Sequence, residues 1–339
     1  MTVTIKDVAA LAGVSPSTVS RTCKNNPSIS AKTKEKVRKA MAELGYEPNF
    51  QASNLASQNS RTIGIVLPAS EQDVYENPFY TEIIRGISQF FNQRQYMNTV
   101  ITGRNEEELL DVMRSTTKSG KVEGFILLYS KENDTIIDYL DSEGILYVLV
   151  GQASKNSSQT ICIDNDNIIA GSDATEYLLS HGHSRIGFLS GISPLLFIVN
   201  RKLGYQLALT RHGIPIKEDY CVEFSATGDI GHNQLRALLT QEDKPTALVV
   251  SDDILAVALE RICYDIGLSI PKDLSIISFN NSLFAQLTYP QLTSIDINTS
   301  QLGIEAASQI INHIENPNLV ATRITVPHSL VERESVAQL

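Results

Sequence analysis

The sequence has 339 residues, 42% of them hydrophobic, and carries 28 Lys and Arg against 38 Asp and Glu, a formal net charge of −10. That length favours two or three domains with sizeable cores. No apolar run reaches the roughly 18 residues that span a bilayer, and Met1 does not lead into a signal-peptide core, so a cytoplasmic protein without membrane contact is expected. Charge is uneven: through Arg61 nine basic residues face four acidic ones, a net of +5, and the remainder therefore holds −15. A basic head on an acidic body is what attraction to phosphate asks of the head alone, since nucleic acid repels the body. Cys23, Cys162, Cys221 and Cys263 are scattered without C-x-x-C spacing and read as small buried hydrophobes rather than a disulfide framework or metal site. His181 and His183 read as a solvated turn at a helix end. No cofactor or metal is expected.

The stretch T-I-K-D-V-A-A-L-A-G-V-S-P-S-T-V-S-R-T-C, Thr4 to Cys23, predicts two short helices and a tight turn. Thr4 and Asp7 have capping-box spacing, and an acid suits the positive helix start. Gly13 ends the first helix, Ser15 caps the second, and Pro16 takes the first helical position, where a missing N–H costs nothing. Val8, Leu11, Val14 and Val19 are expected to pin the helices together, leaving Pro16, Ser17, Thr18 and Arg21 outward. This is a helix-turn-helix, whose second helix enters the major groove. Arg21 is the side chain able to grip guanine bidentately, Ser17 can bond almost any base, and Pro16 offers apolar contact. Lys24 adds attraction that is blind to sequence. Ser30 caps a third helix with Val37, Ala40, Met41 and Leu44 as its apolar stripe and Gly45 at its end. Residues 1–46 thus form an all-helical head. Residues 47–61 are a mostly polar hinge, in which Pro48 and Asn49 could open one helical turn carrying Leu55 as an apolar wedge for the minor groove, a turn formed only on binding.

From Thr62 the pattern changes to short apolar strands alternating with helices. Strands are expected at T-I-G-I-V-L-P, N-T-V-I-T-G, G-F-I-L-L-Y-S, L-Y-V-L-V-G, R-I-G-F-L-S-G, C-V-E-F, A-L-V-V-S-D and L-S-I-I-S-F-N, with a last one around Ile324 to Val331. Nearly continuous apolar strands with helical crossovers imply α/β architecture with parallel sheets covered on both faces. The length implies two lobes, with ligands at the carboxyl ends of the strands. The expected division of residues 62–339 is an N-lobe of about 62–160 plus 291–322 and a C-lobe of about 161–290 plus 323–333. No phosphate-binding glycine loop or dinucleotide fingerprint is present, and Leu195 breaks the nucleophile-elbow pattern begun by Gly191 and Ser193, so an enzyme is not expected. Only E-R-E-S-V-A-Q-L follows the last strand, too short for tetramerising heptads.

The head, the L-G-Y-E-P-N segment with Leu55, and downstream N-P-F-Y, D-N-D-N, H-G-H-S-R-I-G-F, N-R-K-L-G-Y-Q-L-A-L, S-D-D and I-P-K-D-L-S-I-I-S-F-N-N together resemble the LacI/GalR family of transcription repressors over essentially the whole chain. N-P-F-Y, L-Y-S-K-E-N-D and D-N-D-N are most similar to maltose-operon repressors of Gram-positive bacteria within it. The resemblance implies a body like periplasmic sugar-binding proteins, a small carbohydrate effector in the cleft, and a homodimer placing two heads on a pseudo-palindromic double-stranded operator. It places Pro16, Ser17 and Arg21 at base-reading positions, Thr4, Ser15, Ser30 and Thr33 at phosphate contacts, and Leu55 at the intercalating one. In the cleft it implies Arg201 as the effector arginine, whose fork can bridge vicinal hydroxyls. Tyr80, Asp164, Asp252, Asn280 and Asn281 are polar cleft residues on the same reading, and Phe79 and Phe197 are surfaces for a sugar face. Three departures stand out: Ala52-Ser53-Asn54-Leu55 replaces A-R-x-L in the hinge, Ser278-Phe279-Asn280-Asn281 replaces G-[FY]-D-D, and a bulky F-I-V precedes Asn200. Alternatives within reach are a catabolite-control-type regulator answering to a protein or sugar-phosphate corepressor, and a sugar-binding transport protein, for which the basic head would have no use.

Overall fold

The computed structural model describes residues 3–23, 25–46, 60–69, 77–156, 158–226 and 228–339, in two compact units, Met1–Ser60 and Arg61–Leu339. Lys24, Asn49 and Leu55 lie outside the described residues.

The head unit contains α1 (Ile5–Ala12), α2 (Pro16–Cys23) and α3 (Ala31–Leu44). Gly13 and Gly45 take left-handed φ of +59° and +61° as C-caps of α1 and α3, the conformation glycine reaches without a Cβ clash. Val8, Ala9, Ala12, Val19, Val37 and Ala40 make the small core, with Val14, Met41 and Leu44 packed against it. Leu11, expected there, is 46% exposed. Three helices this short close on alanine-sized residues at Ala9 and Ala12, so the inward arc of α1 is narrower than its apolar content. Cys23 is exposed rather than buried.

In the body, β1 (Thr62–Val66), α4 (Pro78–Arg94), β2 (Met97–Ile101), α5 (Glu106–Lys118), β3 (Gly124–Leu127), α6 (Thr135–Glu143), β4 (Tyr147–Val150) and β5 (Ile161–Asp164) follow in order. The chain then crosses to a second lobe of α7 (Asn167–Ser180), β6 (Ile186–Ser190), α8 (Leu196–Arg211), β7 (Cys221–Glu223), α9 (His232–Thr240), β8 (Ala247–Val250), α10 (Asp253–Asp265), β9 (Ser275–Phe279), α11 (Leu283–Leu287) and β10 (Thr293–Asp296). It returns for α12 (Thr299–Glu315) and β11 (Arg323–Thr325), and crosses once more to β12 (Ser329–Val331). The sheets are ordered β11-β5-β4-β3-β1-β2 and β12-β10-β9-β8-β6-β7. All pairings are parallel except β10 with β12, an antiparallel edge of the kind mixed sheets commonly carry.

Three strands therefore sit in the lobe opposite to the expected one. Residues 161–164 and 323–325 belong to the first sheet and 293–296 to the second, and the single strand expected around 324–331 is two strands in different sheets. The sequence pattern predicts no strand at 161–164 or 293–296, where the apolar runs are short, and an apolar run does not in any case announce its sheet; the chain changes lobe after these strands, at 165–166, 297–298 and 326–328. Asn165 joins the three crossings: its buried Nδ2 donates to the carbonyls of Ile297 at 2.9 Å and Val326 at 2.8 Å. His183, expected in a solvated turn, is buried, with Nδ1 on the Thr246 hydroxyl at 3.0 Å and Nε2 on the Ala337 carbonyl at 3.1 Å. The chain's last residues pack onto the second lobe and cover it.

Candidate functional site

On the head, α2 presents Ser15, Pro16, Ser17 and Arg21 to solvent while Val19 and Thr22 turn inward. Ser15 Oγ accepts the Thr18 N–H at 3.2 Å and exchanges hydrogen bonds with the Ser17 and Thr18 hydroxyls at 2.7 and 2.9 Å, so cap and surface are one hydroxyl cluster. The Arg21 guanidinium makes no hydrogen bond to any described residue and keeps its five donors. Ser30 caps α3, accepting Thr33 N–H at 3.2 Å beside the Thr33 hydroxyl at 2.9 Å. Lys34 and Arg38 converge on Asn25 Oδ1 at 3.0 and 3.4 Å, fixing the loop after α2. Thr4 is more committed: its N–H and hydroxyl both donate to Asp7 Oδ2, at 2.8 and 2.7 Å, holding that carboxyl below its usual range. A phosphate would compete with Asp7 for that hydroxyl proton.

In the body, the strand ends and helix starts of both lobes meet in one cleft lined by Asn77, Phe79, Tyr80, Asp164, Phe197, Arg201, Asp252 and Asn280. It opens into a larger chamber of about 480 Å³, mostly apolar, along Ile192, Leu195, Phe224 and Ile254. Arg201, on α8, is 3% exposed and its guanidinium lies between the rings of Phe197 at 4.8 Å and Phe279 at 4.3 Å. Nε donates to Asn167 Oδ1 at 2.9 Å and Nη1 to the Ser251 carbonyl at 2.7 Å. The fork expected to bridge sugar hydroxyls is thus largely spent on protein, leaving Nη2, and Phe197 stacks on the cation rather than standing free. Burial lowers this arginine to about 10 against the pull of Asp252, Asp164 and Asp253. Helix packing sets its position: a Cβ on Gly171 of α7 would lie 2.2 Å from the Arg201 carbonyl oxygen, and one on Gly204 would lie 2.1 Å from that of Ile168.

Asp252 caps α10, its Oδ1 accepting Ile254 N–H at 2.8 Å, while Oδ2 accepts Asn280 Nδ2 at 2.8 Å and, from the other lobe, Asn77 Nδ2 at 3.0 Å. Asp164 is pushed up to about 7 by burial, against the Asn165 backbone N–H, the Arg201 charge and the Asn167 amide at 3.0 Å. Phe79 and Tyr80 pack edge to face at 5.2 Å on the opposite wall, where burial raises the Tyr80 hydroxyl. Asn281 is the exception: it does not line the cleft. Its Nδ2 donates to Asp296 Oδ2 at 2.9 Å and its Oδ1 accepts from Arg333. An amide serves a carboxylate and a guanidinium at once, which an ionised aspartate cannot, and this accounts for the departure from aspartate at 281; at 280 an amide likewise avoids a second carboxylate on Asp252. Asn280 and Asn281 hold φ of +97° and +49°, a region that asparagine tolerates better than most.

Asn77, Tyr129, Asn165, Asn167 and Ser251 are cleft residues that the sequence reading did not single out. Asn77 of N-P-F-Y, Asn165 and Asn167 of D-N-D-N, Tyr129 of L-Y-S-K-E-N-D and Ser251 of S-D-D all lay inside quoted motifs, but nothing local separates an amide that caps a helix from one that faces a ligand. Ser251 Oγ is buried with no hydrogen-bond partner. Among the described residues no cluster of His, Cys, Asp and Glu could hold a metal ion, and no helix is long and apolar enough to cross a membrane.

A family model for bacterial regulatory proteins of the lacI family matches residues 4–49, and one for a periplasmic binding protein-like domain matches residues 175–336. The HTH-type transcriptional regulator MalR of Streptococcus pneumoniae is 35% identical over 98% of this chain and 100% of its own. The chain belongs to the LacI family. It is accordingly a transcriptional regulator and not an enzyme. Among solved LacI-family structures, the transcriptional regulator CelR in complex with cellobiose superimposes with a TM-score of 0.74 at 28% identity, covering 98% of this chain and 99% of that one. A probable maltose operon transcriptional repressor from Staphylococcus gives 0.75 at 29%, covering 82% and 98%.

Proposed function

We propose that this LacI-family chain represses a carbohydrate-utilisation operon as a cytoplasmic homodimer, with two heads on a pseudo-palindromic operator and a small sugar, maltose or a related α-glucoside, in the cleft. The observation that carries the sugar assignment is the cleft itself: a carboxylate, two amides and a guanidinium converge from both lobes between aromatic walls. Sugar rings ask for that combination, planar polar groups for the hydroxyls and flat apolar surfaces for the ring faces. Maltose is favoured because a relative solved as a structure is a probable maltose operon repressor. On the head, Arg21 and Ser17 with Pro16 read bases, and Ser15, Ser30 and Thr33 hold phosphates, with Thr4 and Lys24 adding to them. Leu55 of the hinge wedges the minor groove. A single strong base-reading arginine per head gives little discrimination, and two-fold symmetry doubles it.

The sugar favours one lobe angle and so moves the hinge segments relative to each other. A coupling of about 1–3 kcal/mol lowers operator affinity roughly 5- to 150-fold, and operator lowers sugar affinity by the same factor. Calorimetry with maltose, with and without operator duplex, tests it. Absence of heat at millimolar maltose rejects the ligand; tighter maltose binding in the presence of operator reverses the direction to corepression.

A further inference from the structure

A single carboxylate oxygen, Oδ2 of Asp252, holds both the second lobe's Asn280 and the first lobe's Asn77. Asn77 is the N-cap of α4, and its Oδ1 accepts the Phe79 N–H at 3.0 Å. A backbone N–H can only donate, so the orientation of the amide is dictated: oxygen to the helix, nitrogen to Asp252. Asp252 is in turn the N-cap of α10. The two cleft-facing helices are therefore joined cap to cap across the lobes by one hydrogen bond.

We infer that Asn77 is the positioning residue that sets the angle between the lobes, and that a ligand hydroxyl donating to Asp252 Oδ2 takes its place. That oxygen already accepts two N–H groups, and Asn280 is fixed in its own lobe by the turn after β9, so the partner that yields is the one on the opposite lobe. Ligand entry and release of the first lobe become one event. Interlobe bonds that do not involve Asp252, among them Asn200 Nδ2 to Gln152 Oε1 at 2.8 Å, Leu196 N–H to the Ser130 carbonyl at 2.9 Å and, beside the crossing, Asn167 Nδ2 to Asp164 Oδ1 at 3.0 Å, persist through the exchange as the pivot. This role rests on the cleft being the ligand site, but the latch itself is measurable without ligand.

The test uses the full chain with spin labels at Lys118→Cys and Glu242→Cys, one per lobe, in a Cys23→Ser, Cys221→Ser background that removes the exposed and the half-buried thiol, and pulsed electron resonance at pH 8. Asn77→Asp keeps the cap of α4, since aspartate caps as well as asparagine, but sets a carboxylate against Asp252; the interlobe distance is expected to lengthen and broaden. Adding Asp252→Asn should restore it, because the amide introduced there caps α10 through its oxygen and donates through its nitrogen to the carboxylate at position 77 and to a flipped Asn280. Maltose affinity by calorimetry should rise fivefold or more in Asn77→Asp, because the amide that competes with the ligand hydroxyl for Asp252 Oδ2 is gone. Asn77→Ser, which caps but cannot span the gap, should broaden the distribution without lengthening it as far. An unchanged distance distribution in folded Asn77→Asp overturns the latch, as does failure of the double exchange to restore it. Failure of wild-type protein to bind maltose instead rejects the effector assignment and leaves the distance result standing.

Discussion

On the head, the outward residues Ser15, Pro16, Ser17 and Arg21 lie within seven consecutive positions, and each is held by its own helix. In the cleft, Asn77, Asp164, Arg201, Asp252 and Asn280 come from five segments spread across the body, and each is held by another: Asn77 and Asn280 by Asp252, Arg201 by Asn167 and the Ser251 carbonyl. A surface built on one element tolerates loss of one side chain without loss of the rest. A surface built from buried charges on several elements does not, because removing one partner leaves the others desolvated and uncompensated.

The sharpest way to break this contrast is Arg201→Ala. Three carboxyls, Asp164, Asp252 and Asp253, lie near that buried cation, and its loss is expected to destabilise the body by about 3–5 kcal/mol, read by chemical denaturation. Gly204→Ala should come next, at roughly 1–3 kcal/mol, because its new Cβ must push apart α7 and α8, whose backbones touch there. Arg21→Ala should lower operator affinity by about 1–3 kcal/mol per half-site and relax preference at one base pair, with no change in the melting temperature; a gel-shift series on single-base operator variants checks it. A stability loss there like that of Arg201→Ala would erase the distinction between the two surfaces.

Titration sharpens the same comparison, since Asp7 on the head and the buried carboxyls around the cleft are shifted in opposite directions. Asp7 in the head is lowered by its bonds to Thr4; its contribution is present above the unfolded carboxyl value and is lost as pH falls through the folded one. Asp164 and Asp253 are raised to about 7 and about 6, chiefly by burial. The folded body then binds protons that the unfolded chain has released, so stability falls as pH rises from the unfolded carboxyl value, near 4, to about 7. Asp164→Asn is expected to remove about 1–2 kcal/mol of that decline, visible as a flatter melting temperature between pH 5 and 8. The smallest effect should be Arg261→Ala, which breaks an exposed pair with Asp265 at 3.3 Å and should change stability by less than about 0.5 kcal/mol.

The head was legible in the sequence because its determinants are local: the Gly13 and Gly45 C-caps, the Ser15 and Ser30 N-caps and the Val37 stripe each act within a turn or two of themselves. Leu11 shows the limit even there, since periodicity assigns a face but not which residue of that face the core has room for. In the body, apolar runs and helical spacing were enough for most strands through β9 and for the α/β class. Which lobe held residues 161–164, 293–296 and 323–325 was decided only in three dimensions, by where the chain crosses and by the one amide of Asn165 that ties the crossings. The same holds for the cleft. That Arg201 and Asp252 face it could be read from motif position, but that the arginine's fork is spent on Asn167 and Ser251, that Asn281 serves Arg333 instead of a ligand, and that Asn77 reaches Asp252 are outcomes of partners more than a dozen residues away. Hydrogen bonds of a planar amide or guanidinium depend on distance and angle to a specific acceptor, and those exist only after the sheets have stacked and the helices have closed on Gly171 and Gly204.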